Sequence, residues 1–270
     1  MQVSCAPAVL PAHFPSPPAS VAANIQPTVM ATTLDLVILF EDDDVLVLNK
    51  PGGLVCHSAS RPGQTSLVVQ LRDHGVTTPR LVNRLDRETS GLVIVAKNER
   101  ACKNLGKQVL RREIKKEYRA ICWGEFKEPA GMIDQPIAVT SGGPVYTKRV
   151  IDPAGKPSVT EFFVAKQLPG FTVVGLRPQT GRAHQLRVHL AWLGYPIVGD
   201  KIYGPDERLY LEFIAQGMTP ALLAKLLLPR HALHASAVRF RHPDTQVPLM
   251  CQADLPVDMA QFIEEKSRCC

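Results

Sequence analysis

Hydrophobic and polar positions along the chain switch between two periods, and the switch points mark the predicted elements. LDLVILFEDDDVLVLNKPGG is two apolar runs around an acidic turn at 41–44, the pattern of a hairpin. It ends at Lys50-Pro51-Gly52-Gly53, where the backbone needs glycine's freedom. A short helix is predicted over 64–74, a loop over 83–91 and a strand over 92–96. Ala101, Leu105 and Val109 recur at i, i+4 spacing and predict a helix over 99–112. In the next strand, 117–124, the period of two puts Tyr118, Ala120 and Cys122 on one face.

Further strands are predicted at 136–139, 158–168, 171–177 and 231–243. GRAHQLRVHLAWLG is expected to form a helix closed by Gly194, with Leu186, Leu190 and Leu193 on its buried stripe. PVDMAQFIEEK, 256–266, has the pattern of an amphipathic terminal helix. Strands and helices mix irregularly, without βαβ alternation. That order predicts an α+β fold around a mostly antiparallel sheet.

Composition changes this picture at the N-terminus. Residues 1–32 are rich in Pro, Ala and Ser and contain no Lys or Arg, so they match neither a secretory signal nor a transit peptide. They are expected to be a disordered extension, with Met30 as a possible alternative start. The remainder divides into a domain over 33–245 and a tail over 246–270, whose short helix is expected to pack on the domain. Seven scattered cysteines form no C-x-x-C pair, which argues against a disulfide framework or zinc knuckle and for a reducing cytoplasm. No apolar run approaches the roughly 18–20 residues of a membrane helix. The formal charge of +6 suits a polyanionic partner.

Three segments carry candidate chemistry. In LVNRLDRETSGLVIVAK, 81–97, Asp86 sits between Arg84 and Arg87, and opposite charges favour its ionised form. Such a carboxylate suits a nucleophile or base, although a hydrogen-bonded turn explains an isolated Asp equally well. Thr89 and Ser90 offer hydroxyls that fix a loop. In RPQTGRAHQLRVHLAWLGYPIVGDKIYG, 177–204, Arg182 or Arg187 can pair with a carboxylate or hold a phosphate. His184 and His189 are five apart, so they do not share a helix face as a metal pair does. Between Lys97 and Arg119, basic residues outnumber acidic ones about threefold, a surface able to track phosphates or simply a solvated face. Tyr118 inside that run can stack on a base or belong to the core.

Together these segments resemble the RluA-type pseudouridine synthases. The matching blocks are NKPGGLVCH, NRLDRETSGLVIVAKN, KKEYRAICWG, TGRAHQLRVHLAWLGYPIVGDKIYG and LHASAVRF, in the family's order. The resemblance implies a large mixed, mainly antiparallel sheet around a central catalytic cleft. It implies an isomerase that converts uridine to pseudouridine in structured ribosomal or transfer RNA, as a monomer and without metal or other cofactor. It casts Asp86 as the catalytic carboxylate, Tyr118 as the active-site tyrosine and Arg187 as the partner of Asp86. Arg84 becomes the wedge that enters the RNA stack, and Leu233 a wall of the pocket. Thr89, Lys116, Arg182 and His184 lie in the matching blocks and complete the expected substrate-binding set. One departure is Asn83, where the family usually has His. Two other readings compete: a silent RNA-binding or ribosome-assembly protein on the same fold, and a metal-dependent hydrolase using the histidines and Asp200.

Overall fold

In a computed structural model of the chain, residues 36–57, 65–140, 142–143 and 145–268 are described. The extension expected over 1–32, and Met30 with it, lies outside them. The main sheet runs in the order β1 (Val37–Glu41), β2 (Val45–Lys50), β4 (Ser90–Ala96), β11 (Leu233–Arg241), β5 (Lys115–Trp123), β10 (Phe171–Pro178), β9 (Val159–Leu168) and β6 (Ala130–Asp134). Beside this path β3 (Arg80–Leu81) pairs with β4, and β12 (Pro248–Gln252) with β11. A separate ribbon joins β7 (Ile137–Val139) to β8 (Arg149–Ile151). Among the described pairs only β4–β11 is parallel, so the sheet is mainly antiparallel, as expected for an α+β fold.

The period of two sorts β2 and β4 between two cores. Leu46, Leu48, Val93 and Val95 face one core, where α1 (Leu67–Asp73), α3 (Gln185–Trp192) and α6 (Val257–Ser267) contribute Leu67, Leu71, Leu186, Leu190, Met259 and Phe262. Val45, Val47, Leu92 and Ile94 face the other, where α2 (Glu99–Leu110) contributes Ala101 and Leu105. Covered on both sides, β4 is buried along its whole length. This is why its sequence is a continuous apolar run rather than an alternation.

The parallel seam depends on one glycine. Gly91 pairs with Ala235 at a φ of +113°, and a Cβ there would lie 2.3 Å from the Ala235 carbonyl oxygen. No side chain fits such an approach. The seam therefore brings the start of β4 against the start of β11, immediately beside the 83–89 loop.

Several boundaries differ from the sequence reading. The helix expected from Gly181 begins only at Gln185, because His184 adopts a left-handed φ of 58°. Arg182 and His184 are therefore loop residues. The buried stripe of α3 is wider than Leu186, Leu190 and Leu193, since all of Gln185 to Leu190 is buried. Val109 is 46% exposed, although its spacing placed it with Ala101 and Leu105. Elements absent from the reading are β3, β6, β8, β12, α4 (Arg208–Gln216) and α5 (Pro220–Leu226). The strands among them are short or partly exposed, and α4 and α5 enclose only a small cluster around Leu209, Leu222 and Leu226. Among the described residues no helix is long and apolar enough to cross a membrane.

Candidate active site

Asp86, Tyr118, Arg187 and Leu233, distant in sequence, line one cleft together with Arg84, Thr89, Lys116, Arg182 and His184. Strand register explains part of this convergence. Tyr118 on β5 lies opposite Leu176 on β10 and Ala235 on β11, and Leu233 lies opposite Ala120 one step away. Tyr118 is 7% exposed and belongs to the core while also forming a wall of the cleft. The core reading of this residue therefore holds, and the same side chain also borders the cleft. Its phenol is kept neutral, by burial first and then by the charge of Asp86.

The Asp86 carboxylate is about a third exposed, at 32%, and accepts a 3.0 Å hydrogen bond from Arg187 Nη1. The same guanidinium grips the fully buried Asp200 in two places, Nε to Oδ2 at 2.6 Å and Nη2 to Oδ1 at 2.9 Å. Asp200 also accepts from the Ile202 and Tyr203 amides. Burial opposes the charge on Arg187, but Asp200 and then Asp86 outweigh it and hold the side chain protonated. Burial likewise opposes ionisation of Asp86, and Arg187 followed by His184 and His231 reverses it, leaving the carboxylate below its ordinary range. The local charge pattern credited the neighbours Arg84 and Arg87 with this effect, whereas the family resemblance paired Arg187 with Asp86. The structure assigns it to Arg187, 101 residues away.

His184 stands beside this pair, its Nε2 3.9 Å from Asp86 Oδ2 and its Nδ1 2.9 Å from the Tyr203 hydroxyl. That hydroxyl accepts from the Arg149 amide, so its proton is free to point at Nδ1. Burial and the nearby Arg187 push the His184 pKa down to about 4, so the ring is neutral at neutral pH. Its Nε2–H then faces Asp86.

The 83–89 loop is pinned from several directions. Asn83 donates to the Leu92 carbonyl at 3.0 Å and accepts from the Ile94 amide at 2.8 Å, so its amide imitates a peptide group and docks the loop on β4. The departure at this position thus has a structural role. Lys50, with no exposed surface, donates to the carbonyls of Pro51, Leu54 and Arg87. Burial lowers its pKa to about 8. Arg230 donates to the Glu88 carbonyl, and Lys201 grips the Glu88 carboxylate at 2.6 Å. Thr89, 2% exposed, bonds to His231 Nε2 at 2.7 Å.

A second turn, 180–183, is set by Gln185. Its amide oxygen accepts from Thr180 Oγ1 and the Arg182 amide, and its nitrogen donates to Val159 O and Thr160 Oγ1. All four hydrogen-bonding positions are used. Arg182, which donates to the Pro157 carbonyl, is thereby held on the exposed rim, as is the exposed Arg84.

The basic run 97–119 divides in two. Lys97, Arg100, Lys103 and Arg119 are paired with Glu41, Asp44 and Asp244, Glu99, and Glu117 respectively. Arg112, Lys115 and Lys116 instead line the cleft. Among the described residues no group of three or more His, Cys, Asp or Glu is placed to hold a metal ion. Asp200, a ligand in the hydrolase alternative, is committed to Arg187.

Sequence reasoning did not assign Gln185, Glu88, Lys201, His231 or Tyr203 to this site. The contacts of Glu88 with Lys201 and of Thr89 with His231 span 113 and 142 residues, and no local periodicity encodes them.

The chemistry of the cleft is a carboxylate kept ionised without being covered, beside a neutral phenol and under a cationic rim. Such a set can attack or deprotonate a bound nucleotide, and it fits a polyanion. Comparison with known proteins agrees. The family model described as RNA pseudouridylate synthase matches residues 44–192. An RNA pseudouridine synthase of Bacillus subtilis, YlyB, is 37% identical over 244 residues, covering 87% of this chain and 74% of the relative. The ribosomal large subunit pseudouridine synthase D of Escherichia coli K12 is 37% identical over 238 residues, covering 86% of this chain and 70% of the relative. Among solved structures, human RNA pseudouridylate synthase domain containing 1 aligns with a TM-score of 0.65 at 26% identity, over 87% of this chain and 97% of that one. A site of this make-up, on this sheet and with these relatives, identifies the chain as a member of the RluA-type RNA pseudouridine synthase family, isomerases that act on RNA.

Proposed function

We propose that the chain isomerises specific uridines in ribosomal RNA or transfer RNA, with Asp86 as the reacting carboxylate. The observation that carries this reading is the single 3.0 Å bond from Arg187 to Asp86. One carboxylate oxygen is held and the group remains open to the cleft, while Nε and Nη2 of Arg187 are engaged by Asp200. Ribosomal RNA is the favoured target, because curated relatives at this identity are named for the ribosomal large subunit.

The target uridine must leave the RNA stack, at a cost of a few kcal/mol. Arg84 enters the vacated space, and the extruded ring rests on Tyr118 against Leu233. Arg182 and Lys116 hold the strand, and His184 stays neutral with its N–H toward Asp86. Asp86 then attacks C1′, or removes a ribose proton to leave a glycal. Either route releases uracil by breaking the N1–C1′ bond. The base turns to present C5, and the C5–C1′ bond forms as the Asp86–C1′ bond breaks or, on the glycal route, as the proton taken by Asp86 returns to C2′; C5 then gives up its proton and N1 gains one. The reaction is an isomerisation and balances without an oxidant or reductant. Thr89 is a positioning residue here, holding the Asp86 loop through His231.

The test is Asp86→Asn in the full chain, incubated with ribosomal RNA and transfer RNA lacking the modification. Pseudouridine, read by chemical mapping, should fall below detection, while RNA affinity and the thermal midpoint stay near those of the parent. Turnover within a few-fold of the parent would overturn the assignment. If the parent itself binds RNA but makes no pseudouridine in either pool, the silent RNA-binding reading takes over.

A further inference from the structure

Buried cations around the cleft are matched one by one, with one exception. Lys50 has three carbonyl acceptors, Lys201 has Glu88 and the Pro229 carbonyl, and Arg187 has two carboxylates. Lys116 is partly buried in the cleft wall, yet among the described residues its ammonium has no ion pair and no hydrogen bond. Two acids that line the same cleft are already engaged elsewhere. Glu117, on the opposite face of β5, bonds Arg119 and Arg177, and Glu161 accepts from Gln179. Burial lowers the proton affinity of Lys116, and no opposing acidic partner contributes. A desolvated ammonium without a counter-charge is costly, and proteins normally pair or hydrate it.

The surroundings of Lys116 indicate what the missing charge is. It lies two residues before Tyr118 on β5, so both side chains project from the same face, about 7 Å apart. Across from it stands Gly181, where an added Cβ would come 3.9 Å from Lys116 Nζ. The turn's backbone is therefore open beside the ammonium. Arg182 flanks that turn and Lys115 precedes Lys116, so the local field is positive.

We propose that Lys116 Nζ binds a phosphodiester oxygen of the nucleotide whose base rests on Tyr118, an assignment that rests on the function proposed above. One nucleotide then spans both residues, with its base on Tyr118 and its phosphate between Lys116 and Gly181. The RNA supplies the counter-charge that the fold withholds. Affinity for the strand and seating of the base thus become one event.

Lys116→Met keeps the apolar stem and removes the charge, and Lys116→Arg restores a cation. Binding of a short oligouridylate to each full-length protein is measured over a salt series. The slope of log affinity against log salt should shrink by about 0.7 in Lys116→Met, the value of one single-strand phosphate contact. Affinity at low salt should fall about tenfold, as for one charge-assisted hydrogen bond. Lys116→Arg should recover the parental slope. An unchanged slope in Lys116→Met overturns the proposal, whatever happens to activity. Pseudouridine formation by the parent is scored separately. Product with no slope change removes the phosphate site alone, whereas a slope change with no product removes the isomerase reading alone.

Discussion

Helices α2 and α3 put their polar residues to opposite uses. In α2 the sequence rules are obeyed. Asn98 caps the first turn by accepting from the Ala101 amide, Glu99 lies in that turn and Lys107 in the last. Of its twelve residues three are buried, of which only Gln108 is polar, bonding the Arg241 backbone, and exposed polar residues make pairs such as Glu99 with Lys103. In α3 the cap residue His184 is left-handed and gives no side-chain cap bond, and six consecutive residues are buried. Three of those six are Gln185, Arg187 and His189, whose partners lie on β9, in the 135 and 200 turns and on Asp86. A helix serving itself keeps most of its polar groups in water. A helix serving a site buries them and depends on distant residues to satisfy them.

The sharpest way to break this contrast is Arg187→Met. It leaves Asp200, with no exposed surface, as an uncompensated buried charge. Removing one member of a buried pair costs about 3–5 kcal/mol. Denaturant unfolding should show a loss of that size, together with abolished pseudouridine formation. A loss under about 1 kcal/mol would mean that water reaches Asp200 and that α3 is not the buried polar element described. The second effect is one of pH. Burial lowers His184, His189 and His234 to about 4, from an ordinary value of 6.5. Between those values the unfolded chain binds protons that the folded chain refuses, so stability rises with pH across the window and falls as the medium is acidified. Proton uptake on unfolding should approach about three near pH 5 from these groups. Calorimetric unfolding across that range measures it, and a flat profile would show that the rings are protonated in the fold.

What was legible in the sequence follows the same division. Apolar runs located β2, β9 and β10, the period of two placed the faces of β5, and the i, i+4 pattern located α2, because these signals are contained within one element. Asp86, Tyr118, Arg187 and Leu233 were reached through the ordered blocks of a resemblance, not through periodicity, and the structure brings them to one cleft. The start of α3 was misplaced because Gln185 takes over the 180–183 turn, a contact made across β9 that helix rules do not contain. Asp200 appeared as a turn residue, and only its position beneath Arg187 reveals that it sets the direction of the guanidinium. The basic run was legible as charge, but which cations face the cleft depends on acids contributed by β1, the β1–β2 turn and the 244 turn.

The smallest effects belong to α2. Asn98→Ala removes the cap on Ala101 and the bond from Asn98 Nδ2 to Asp44 Oδ1, but Asp44 remains gripped by Arg100. Loss of an N-cap side chain costs about 1 kcal/mol, and the fold should retain activity because nothing in the cleft depends on this end of the helix. Lys103→Ala removes only an i, i+4 pair with both side chains about 70% exposed, and the unfolding midpoint should not move measurably. If Asn98→Ala cost as much as Arg187→Met, the solvated helix would be as tightly coupled to the rest of the fold as the buried one. Burial of polar groups would then no longer separate the two. Unfolding curves for Asn98→Ala and Lys103→Ala, recorded beside Arg187→Met in one denaturant, decide this from the order of their midpoints.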